Sequence, residues 1–395
     1  MPASPAETVS SNQPLLNFEW SFILAACSSC PLRQKTERLR RLLQDPVRWP
    51  NVMELADHHG VEPQVYHSLL DVEDTTPASV MQVFRQSYQN NLHKALLLSR
   101  ELIEIMGHLA SAGVEAMPYK GLALAQLLYG DVAQRQAGDI DLLIRPPREL
   151  SRIRKALGPL GYKPHTWLRE PEERAYLKSG YELSFDGKAG PNLLELQWAI
   201  HPRFYAIDFD MEAFFARAVT TEVAGCPMKT LNSSDLLLVL CAHAAKHAWG
   251  RLLWLCDIAQ LVSSQKLDWD WIWAEANRLG IARIVHVTLL LANRMLQVPL
   301  PASAQAHLTD SAASQLAQEI QASIANQVSV NVESLSYFRL LLHLRERRAD
   351  QLKFLSRLIF TPGPSEWSAV RLPRALFPLY RVVRVFRLAA RIART

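Results

Sequence analysis

Between residues 114 and 200 the spacing of the apolar residues changes, and that change limits the chain to few architectures. Before it, from Phe18 to about Ala110, the stretches SFILAACSSC, KTERLRRLLQ, WPNVMELADHHG and NNLHKALLLSRELIEIMGHLA repeat apolar residues every three or four positions. That is the spacing of one face of a helix. Within the changed region, VEAMPYKG, DIDLLI and NLLELQWAI are short β-type runs between turn residues. KGLALAQLLYG and RELSRIRKALGPLGY are helices that cross between them. After Pro202 the helical period returns and runs to about Leu344. The expected fold is α+β and mostly helical overall, a small mixed sheet with helices flanked by N- and C-terminal helical lobes. The divisions read as an unstructured stretch at 1–16, a helical lobe at 17–110, the α+β core at 111–205, a second helical lobe at 206–345, and a Pro/Arg-rich tail at 346–395 that ends on a basic helix.

Composition narrows the class. The 395 residues are 49% apolar and 21% charged, which suits a chain that buries more than one core. A net charge of +5 tolerates anionic ligands without demanding nucleic acid. No basic segment followed by an apolar run opens the sequence, so no secretory leader is expected. Apolar runs such as DLLLVLCA fall short of the roughly 18–20 residues that span a bilayer. Five cysteines, few and odd in number, suit a reducing compartment, and the cytoplasm is the expected location.

The chemistry concentrates in GDIDLLI, residues 138–144. On a strand, residues two apart face the same way, so Asp139, Asp141 and Leu143 share one face while Ile140, Leu142 and Ile144 pack the other. Two carboxylates roughly 7 Å apart on an apolar strand resist ionising together unless a cation joins them. Magnesium takes one or two carboxylates together with substrate phosphates. The plain alternatives are a strand end in solvent, or pairing with Arg135 or Arg145. The segment just before favours the cation. Lys120-Gly121 forms a turn between a strand and a helix, where Gly121 lets backbone approach a ligand, free N–H groups suit phosphate, and Lys120 adds charge. Glu195, alternating with Gln197 and Ala199 in NLLELQWAI, is a third acid able to complete a two-metal site or to deprotonate an attacking hydroxyl.

KGLALAQLLYG followed by RQAGDIDLLI resembles the K-G-x-x-L…Y…R-x-x-x-D-x-D-L-L-V run of an uncharacterised bacterial nucleotidyltransferase family related to the DNA polymerase β superfamily. The similarity extends to HHGVEPQVYHSLL, to CAHAAKHAWGRLLWLCDIAQL and to FTPGPSEWSAVRLP…LYRVVR. The resemblance implies the minimal nucleotidyltransferase core, a nucleoside triphosphate and Mg²⁺ (or Mn²⁺). It implies Asp139 and Asp141 as metal ligands with Glu195 as the third carboxylate. The residues expected on the nucleotide side are Lys120, Gly121 and Arg135. The sequence departs from the pattern twice. Lys120-Gly121-Leu122 replaces the superfamily's Gly-Ser, and Gln197 stands where a family-like LHW has histidine.

In SDLLLVLCAHAAKHAWGRLLWLCDIAQLV, read as one capped helix, His243, His247, Arg251, Trp254 and Asp257 fall on one polar stripe with Lys246 beside it. The functional reading makes this stripe a wall of the nucleotide cleft. Lys246 and Arg251 are placed on phosphate; His243, His247, Trp254 and Asp257 face the acceptor. The other reading is a solvent-facing stripe or an internal ion-pair network. Zinc is disfavoured because no acid follows His243 and no third ligand is evident.

Two weaker motifs precede the core. CSSC (27–30), a lone CxxC, reads as structural cysteines, and DHHG (57–60) as a helix end whose histidines suit the terminal dipole. In the tail, Arg381, Arg384, Arg387, Arg391 and Arg394 line one face of a helix. The first expectation is a helix packed on the body with its basic face solvated. A membrane-surface helix or a contact for an anionic partner are the others. Aromatic residues accompany the arginines only at Tyr380 and Phe386, so nucleic acid is not favoured.

The expected activity is Mg²⁺-dependent transfer of a nucleoside monophosphate from an NTP to an acceptor hydroxyl. The acceptor, a small molecule, peptide or saccharide, would belong to peptide or polysaccharide biosynthesis. The rival is a catalytically degenerate module of the same fold that binds a nucleotide or a partner protein.

Overall fold

Capping residues and apolar spacing set the helices, and a computed structural model describes residues 13–136, 138–146, 150–166, 168–187, 190–328, 330–331 and 334–392. The first helices are α1 (Gln13–Ala26), α2 (Leu32–Leu42), α3 (Trp49–His59), α4 (Glu62–Leu70) and the long α5 (Ala78–Ser111). Helix α1 begins inside the stretch 1–16 expected to lack structure, whose first twelve positions lie outside the described residues. Gly60 ends α3 in the left-handed conformation (φ +70°), as its place after DHH suggested.

The α+β segment follows as β1 (Ala116–Pro118), α6 (Gly121–Tyr129), β2 (Ile140–Ile144), α7 (Leu150–Leu157), β3 (Lys163–Pro164), α8 (Glu170–Ser179), β4 (Glu182–Gly187) and β5 (Gly190–Gln197). The five strands form one mixed sheet in the order β1-β2-β5-β4-β3. Strands β2 and β5 are parallel, and the other pairings are antiparallel. The fold class is thus as expected, α+β and mostly helical.

Beyond the sheet lie α9 (Met211–Ala216) and a hairpin of β6 (Val219–Val223) and β7 (Cys226–Thr230). The sequence reading ran helix through this hairpin. Its turn, Ala224-Gly225, has positive φ at both positions (50° and 76°), the backbone that suits a two-residue hairpin, but an alanine there gives no turn signal. The helices α10 (Ser233–Lys246), α11 (Leu252–Ser264), α12 (Trp269–Leu279), α13 (Ala282–Leu296), α14 (Ala302–Gln305), α15 (Ser311–Ala325) and α16 (Leu335–His343) complete the second helical part. Asn232 caps α10 as its NSSD cluster predicts, accepting from the Ser234 and Asp235 N–H groups at 3.0 Å.

Two apolar cores hold these elements. One runs from Trp20 on α1 to Phe354 and takes in Tyr119 and Leu143; the other contains Ile140, Leu142, Leu194, Leu196 and Phe185. One face of the sheet therefore packs against α5 and α7, and its other face meets the helical body. Helix α5 joins the cores, burying Val80 and Phe84 in the first and Leu102 and Ile105 in the second.

The tail forms α17 (Arg348–Phe360), α18 (Pro364–Ala369) and α19 (Tyr380–Ile392). Helix α19 packs on the body as expected and Arg381 is solvated, but two of the arginines turn inward. Arg384 donates to the Leu358 carbonyl at 2.7 Å and to Glu366 at 3.3 Å, and Arg387 donates to the Ser365 carbonyl. Val382, Val385 and Phe386 face solvent instead. The Leu358 and Ser365 carbonyls and buried Glu366 draw these guanidinium groups inward, and the spacing of the arginines alone could not show it. Arg394 lies outside the described residues.

Candidate active site

The strand register sets the site. Asp141 on β2 stands beside Glu195 on β5, Glu195 beside Ser184 on β4, and Gln197 beside Glu182. These positions share the parity of one sheet face, the face turned away from the Ile140–Leu142 core. Asp139 enters β2 half-buried. Four carboxyls thus gather on one face of three neighbouring strands, and the sequence reading named only three. Glu182 was missed because its partner is across the sheet; the alternation in YELSF was the available signal.

Lys120 lies among them, its Nζ 3.1 Å from Asp141 Oδ1 and 4.8 Å from the centre of the Tyr119 ring. Both partners are buried, with side chains 11% and 5% exposed. Burial opposes charge on Lys120, but Asp141, Tyr119 and Glu195 outweigh it and hold the ammonium above the ordinary lysine range. Gly121, next in sequence, opens α6 at φ +53°, and a Cβ there would sit 3.2 Å from the Asp139 carbonyl oxygen. A side chain at this turn would be strained in backbone and crowded against β2, so glycine permits the close approach of α6 to the carboxylates.

Gln197 ties the acids together. It donates to Glu195 at 2.7 Å and accepts from the Tyr119 hydroxyl at 2.5 Å. Burial, then repulsion from Asp141 and Glu182, lifts Glu195 to about 8. Asp139 and Glu182 are raised for the same first reason, Asp139 also by Asp141. Such mutual repulsion marks a place that is short of positive charge. Among the described residues, no set of three or more His, Cys, Asp or Glu side chains is arranged to close on a metal by itself.

The other wall is the end of α10. Lys246 is held below the lysine range by burial, against the pull of Glu182, and sits 5.1 Å over the Tyr181 ring. The rings of His243, His247 and Trp254 cluster with centres 4.8 to 5.4 Å apart, His243 meeting Trp254 edge-on. Burial, followed by the charges of Lys120 or Lys246, keeps both imidazoles neutral, His247 at about 3. His201 joins them without having been anticipated. It is buried, neutral for the same reasons, and neither of its ring nitrogens has a partner.

The continuous helix expected here is two helices. After Lys246 the chain breaks at Ala248 and Trp249, both with positive φ (49° and 53°), before α11 begins at Leu252. Trp249 is fully buried and its indole donates to Thr288 Oγ1 at 3.0 Å, so tertiary packing of this ring ends the helix. The stripe divides accordingly. His243, His247 and Trp254 remain together, while Arg251 is exposed at the start of α11. Asp257, fully buried, accepts from Arg135 Nε at 3.0 Å to each oxygen and from the Tyr129 hydroxyl at 3.3 Å. Arg135 and Asp257, assigned from sequence to nucleotide and acceptor, are therefore committed to each other. Arg135 still reaches the site through its charge, which lowers the Asp139 carboxyl against burial and Asp141.

The family described as Uncharacterised nucleotidyltransferase matches residues 45–297, from just before α3 to just past α13. No curated protein and no solved structure matches the chain.

Proposed function

Because the chain belongs to the uncharacterised nucleotidyltransferase family, whose match spans well over half of it, we propose that it moves a nucleoside monophosphate from an NTP to an acceptor hydroxyl. The observation that carries this reading is buried Asp141 among half-buried Asp139, Glu182 and Glu195, with Lys120 3.1 Å away at the start of α6. The family implies a nucleotide substrate; the direction of transfer, the metal and the residue roles are our reading.

The carboxyls fit a hard divalent cation. They are oxygen donors, they are desolvated, and Asp139 and Glu195 are raised by one another's neighbours. Mg²⁺ and Mn²⁺ keep coordination positions for water and phosphate, so two carboxylates of the chain suffice. Asp139 and Asp141 would hold the ion, which leaves Glu195 free to act as base. When bound, it would neutralise charge on the transferring and leaving phosphate oxygens.

Lys120, released from Asp141, and the Gly121 amide would take the β- and γ-phosphates. The acceptor oxygen forms a bond to the α-phosphorus, the bond from that phosphorus to the bridging oxygen breaks, and pyrophosphate leaves with the electron pair. The hydroxyl proton goes to Glu195, a carboxylate once a cation beside it offsets the burial and the repulsion from Asp141 that raise it. Lys246 bears on the phosphates, and neutral His243, His247 and the Trp254 ring offer the acceptor a polar yet uncharged surface. Arg135 positions Asp139 through its charge.

A second reading has its own observation. Asp141 is already paired with Lys120, and Glu195 with Gln197, so two of the four acids have partners without a ligand. A module that binds a nucleotide or partner protein without catalysis would look like this. Calorimetric titration of each NTP, with and without Mg²⁺, into wild type and Asp139→Asn/Asp141→Asn separates the readings when paired with a pyrophosphate-release assay. Mg²⁺-dependent binding that the double variant loses, with pyrophosphate release, is expected. Binding without release favours the non-catalytic module, and no NTP binding to a protein that melts normally would defeat both nucleotide readings.

A further inference from the structure

We propose that the C-terminal region docks on an anionic lipid surface through the outward face of α19. The inference stands apart from the nucleotidyltransferase reading. An amphipathic helix on a water-soluble surface turns its apolar face to the body. Helix α19 does so only in part: Tyr380 is buried and Val383 and Leu388 are half-buried, but a second apolar ridge faces out. Arg384 and Arg387 bind the Leu358 and Ser365 carbonyls, while Val382, Val385 and Phe386, at i, i+3 and i+4, stand 48, 39 and 71% exposed. The adjoining α17 adds Leu352, 67% exposed, and Phe360, 51% exposed. Leu379, just before α19, is 47% exposed.

Charge selects the occupant. Residues 346–395 hold eleven Lys or Arg against three Asp or Glu, a net +8, whereas the whole chain is +5, so the first 345 residues carry −3. Lys353 and Arg357 spend part of that charge on Asp208 and Arg384 on Glu366, but a second copy would still bring two net-basic segments together. Nucleic acid would accept the charge but not the ridge of valine, leucine and phenylalanine. Anionic headgroups over acyl chains match both, because apolar side chains seat at the acyl boundary while flanking arginines stay at the headgroups. Arg381 on α19, and Arg371 ahead of it, are exposed. Among the described residues no helix is long and apolar enough to cross a membrane, so the contact is interfacial.

The region is coupled to the sheet. Trp367 on α18 meets the Tyr176 ring edge-on at 6.0 Å, and Tyr176 meets Trp198, next after β5, at 5.8 Å. Docking through α19 would therefore hold the carboxyl-bearing strands at a fixed place relative to the lipid.

The full chain should float with phosphatidylcholine vesicles that contain phosphatidylglycerol and much less with phosphatidylcholine alone, and added salt should weaken the association. Val382→Ser/Phe386→Ser should reduce partitioning by about tenfold or more. Arg381→Glu should reduce it by at least about fivefold, the contribution of one basic residue near an anionic surface. All three side chains are exposed, so unchanged melting temperatures would show that the variants fold. No flotation with anionic vesicles would overturn the proposal. So would binding that Arg381→Glu removes but Val382→Ser/Phe386→Ser leaves intact, which describes a plain polyanion contact. Self-association in sedimentation velocity that disappears in Val382→Ser/Phe386→Ser, without vesicle binding, would assign the face to a second copy.

Discussion

Lys120 is the residue on which the reading of the site turns, because its ammonium is positioned where a cation would relieve the carboxyls. Removing one member of a buried ion pair leaves the other charge uncompensated, at a cost of about 3–5 kcal/mol. Lys120→Met should therefore destabilise the protein by roughly that amount, leaving Asp141 beside Asp139 and Glu195. If these acids form a cation site, Mg²⁺ should raise the melting temperature of Lys120→Met more than that of wild type, since the metal no longer competes with the ammonium. Equal small effects of Mg²⁺ on both proteins in a thermal-shift titration would count against the site. This grouping was largely legible in the sequence. A strand's period of two places Asp139 with Asp141 and sets Glu195 and Gln197 on one face, and the Lys-Gly turn sits one helix away. What the period could not supply was cross-strand pairing. Glu182 and His201 reach the site only through register and the chain's return after β5, and neither is encoded in local spacing.

Elements meet through groups whose local sequence suggests another role, and His59 is an instance. DHHG reads as a helix end where charged histidines complement the dipole. Instead His59 is 1% exposed, its Nδ1 accepts the Leu252 N–H at 3.3 Å, and its ring packs 4.9 Å from Trp20. It thus joins the end of α3 to the start of α11 as a neutral acceptor. Burial first, then His58 and Arg251, lowers it from 6.5 to about 4. The folded state prefers the neutral ring, so this contribution is fully present above pH 6.5 and is lost as pH falls through about 4. His59→Gln, which keeps an acceptor but does not titrate, should flatten the acid limb of melting temperature against pH over that window. At neutral pH it should cost only about 1 kcal/mol of ring packing. A limb as steep as that of wild type would show that His59 does not carry the acid sensitivity. The break between α10 and α11 teaches the same lesson. Periodicity carried the helix through Trp249, but the buried bond from its indole to Thr288 ends it, and that partner lies on α13, 39 residues further on.

At the scale of the whole molecule, the change of period predicts helix, sheet and helix in order, yet it does not say how the helical parts share their interior. They share it fully. The core that begins at Trp20, Phe22 and Ile23 on α1 continues through Leu255 and Ile258 on α11 to Leu291 on α13 and Phe354 on α17. The Ser29 N–H donates to the Leu296 carbonyl at 2.7 Å, joining residues far apart in sequence. Apolar spacing marks which face of each helix is buried but carries no label for its partner, so this continuity could not be read from the sequence. It has a consequence for unfolding. Independent lobes with separate cores would melt in separate transitions, whereas elements that bury one another's apolar faces lose their stabilisation together. The tryptophans Trp20, Trp249, Trp269 and Trp273 all lie in the shared core, while Trp198 lies in the sheet core joined to it through α5. Denaturation in urea followed by far-ultraviolet circular dichroism and by tryptophan fluorescence should therefore give coincident curves. A chain beginning at Thr76 should fail to yield a folded monomer, because it leaves uncovered the surface that α1, α3 and α4 bury. Two resolved transitions, or a stable truncated monomer, would mean that the helical parts are separable units and that the shared core is only an interface between them.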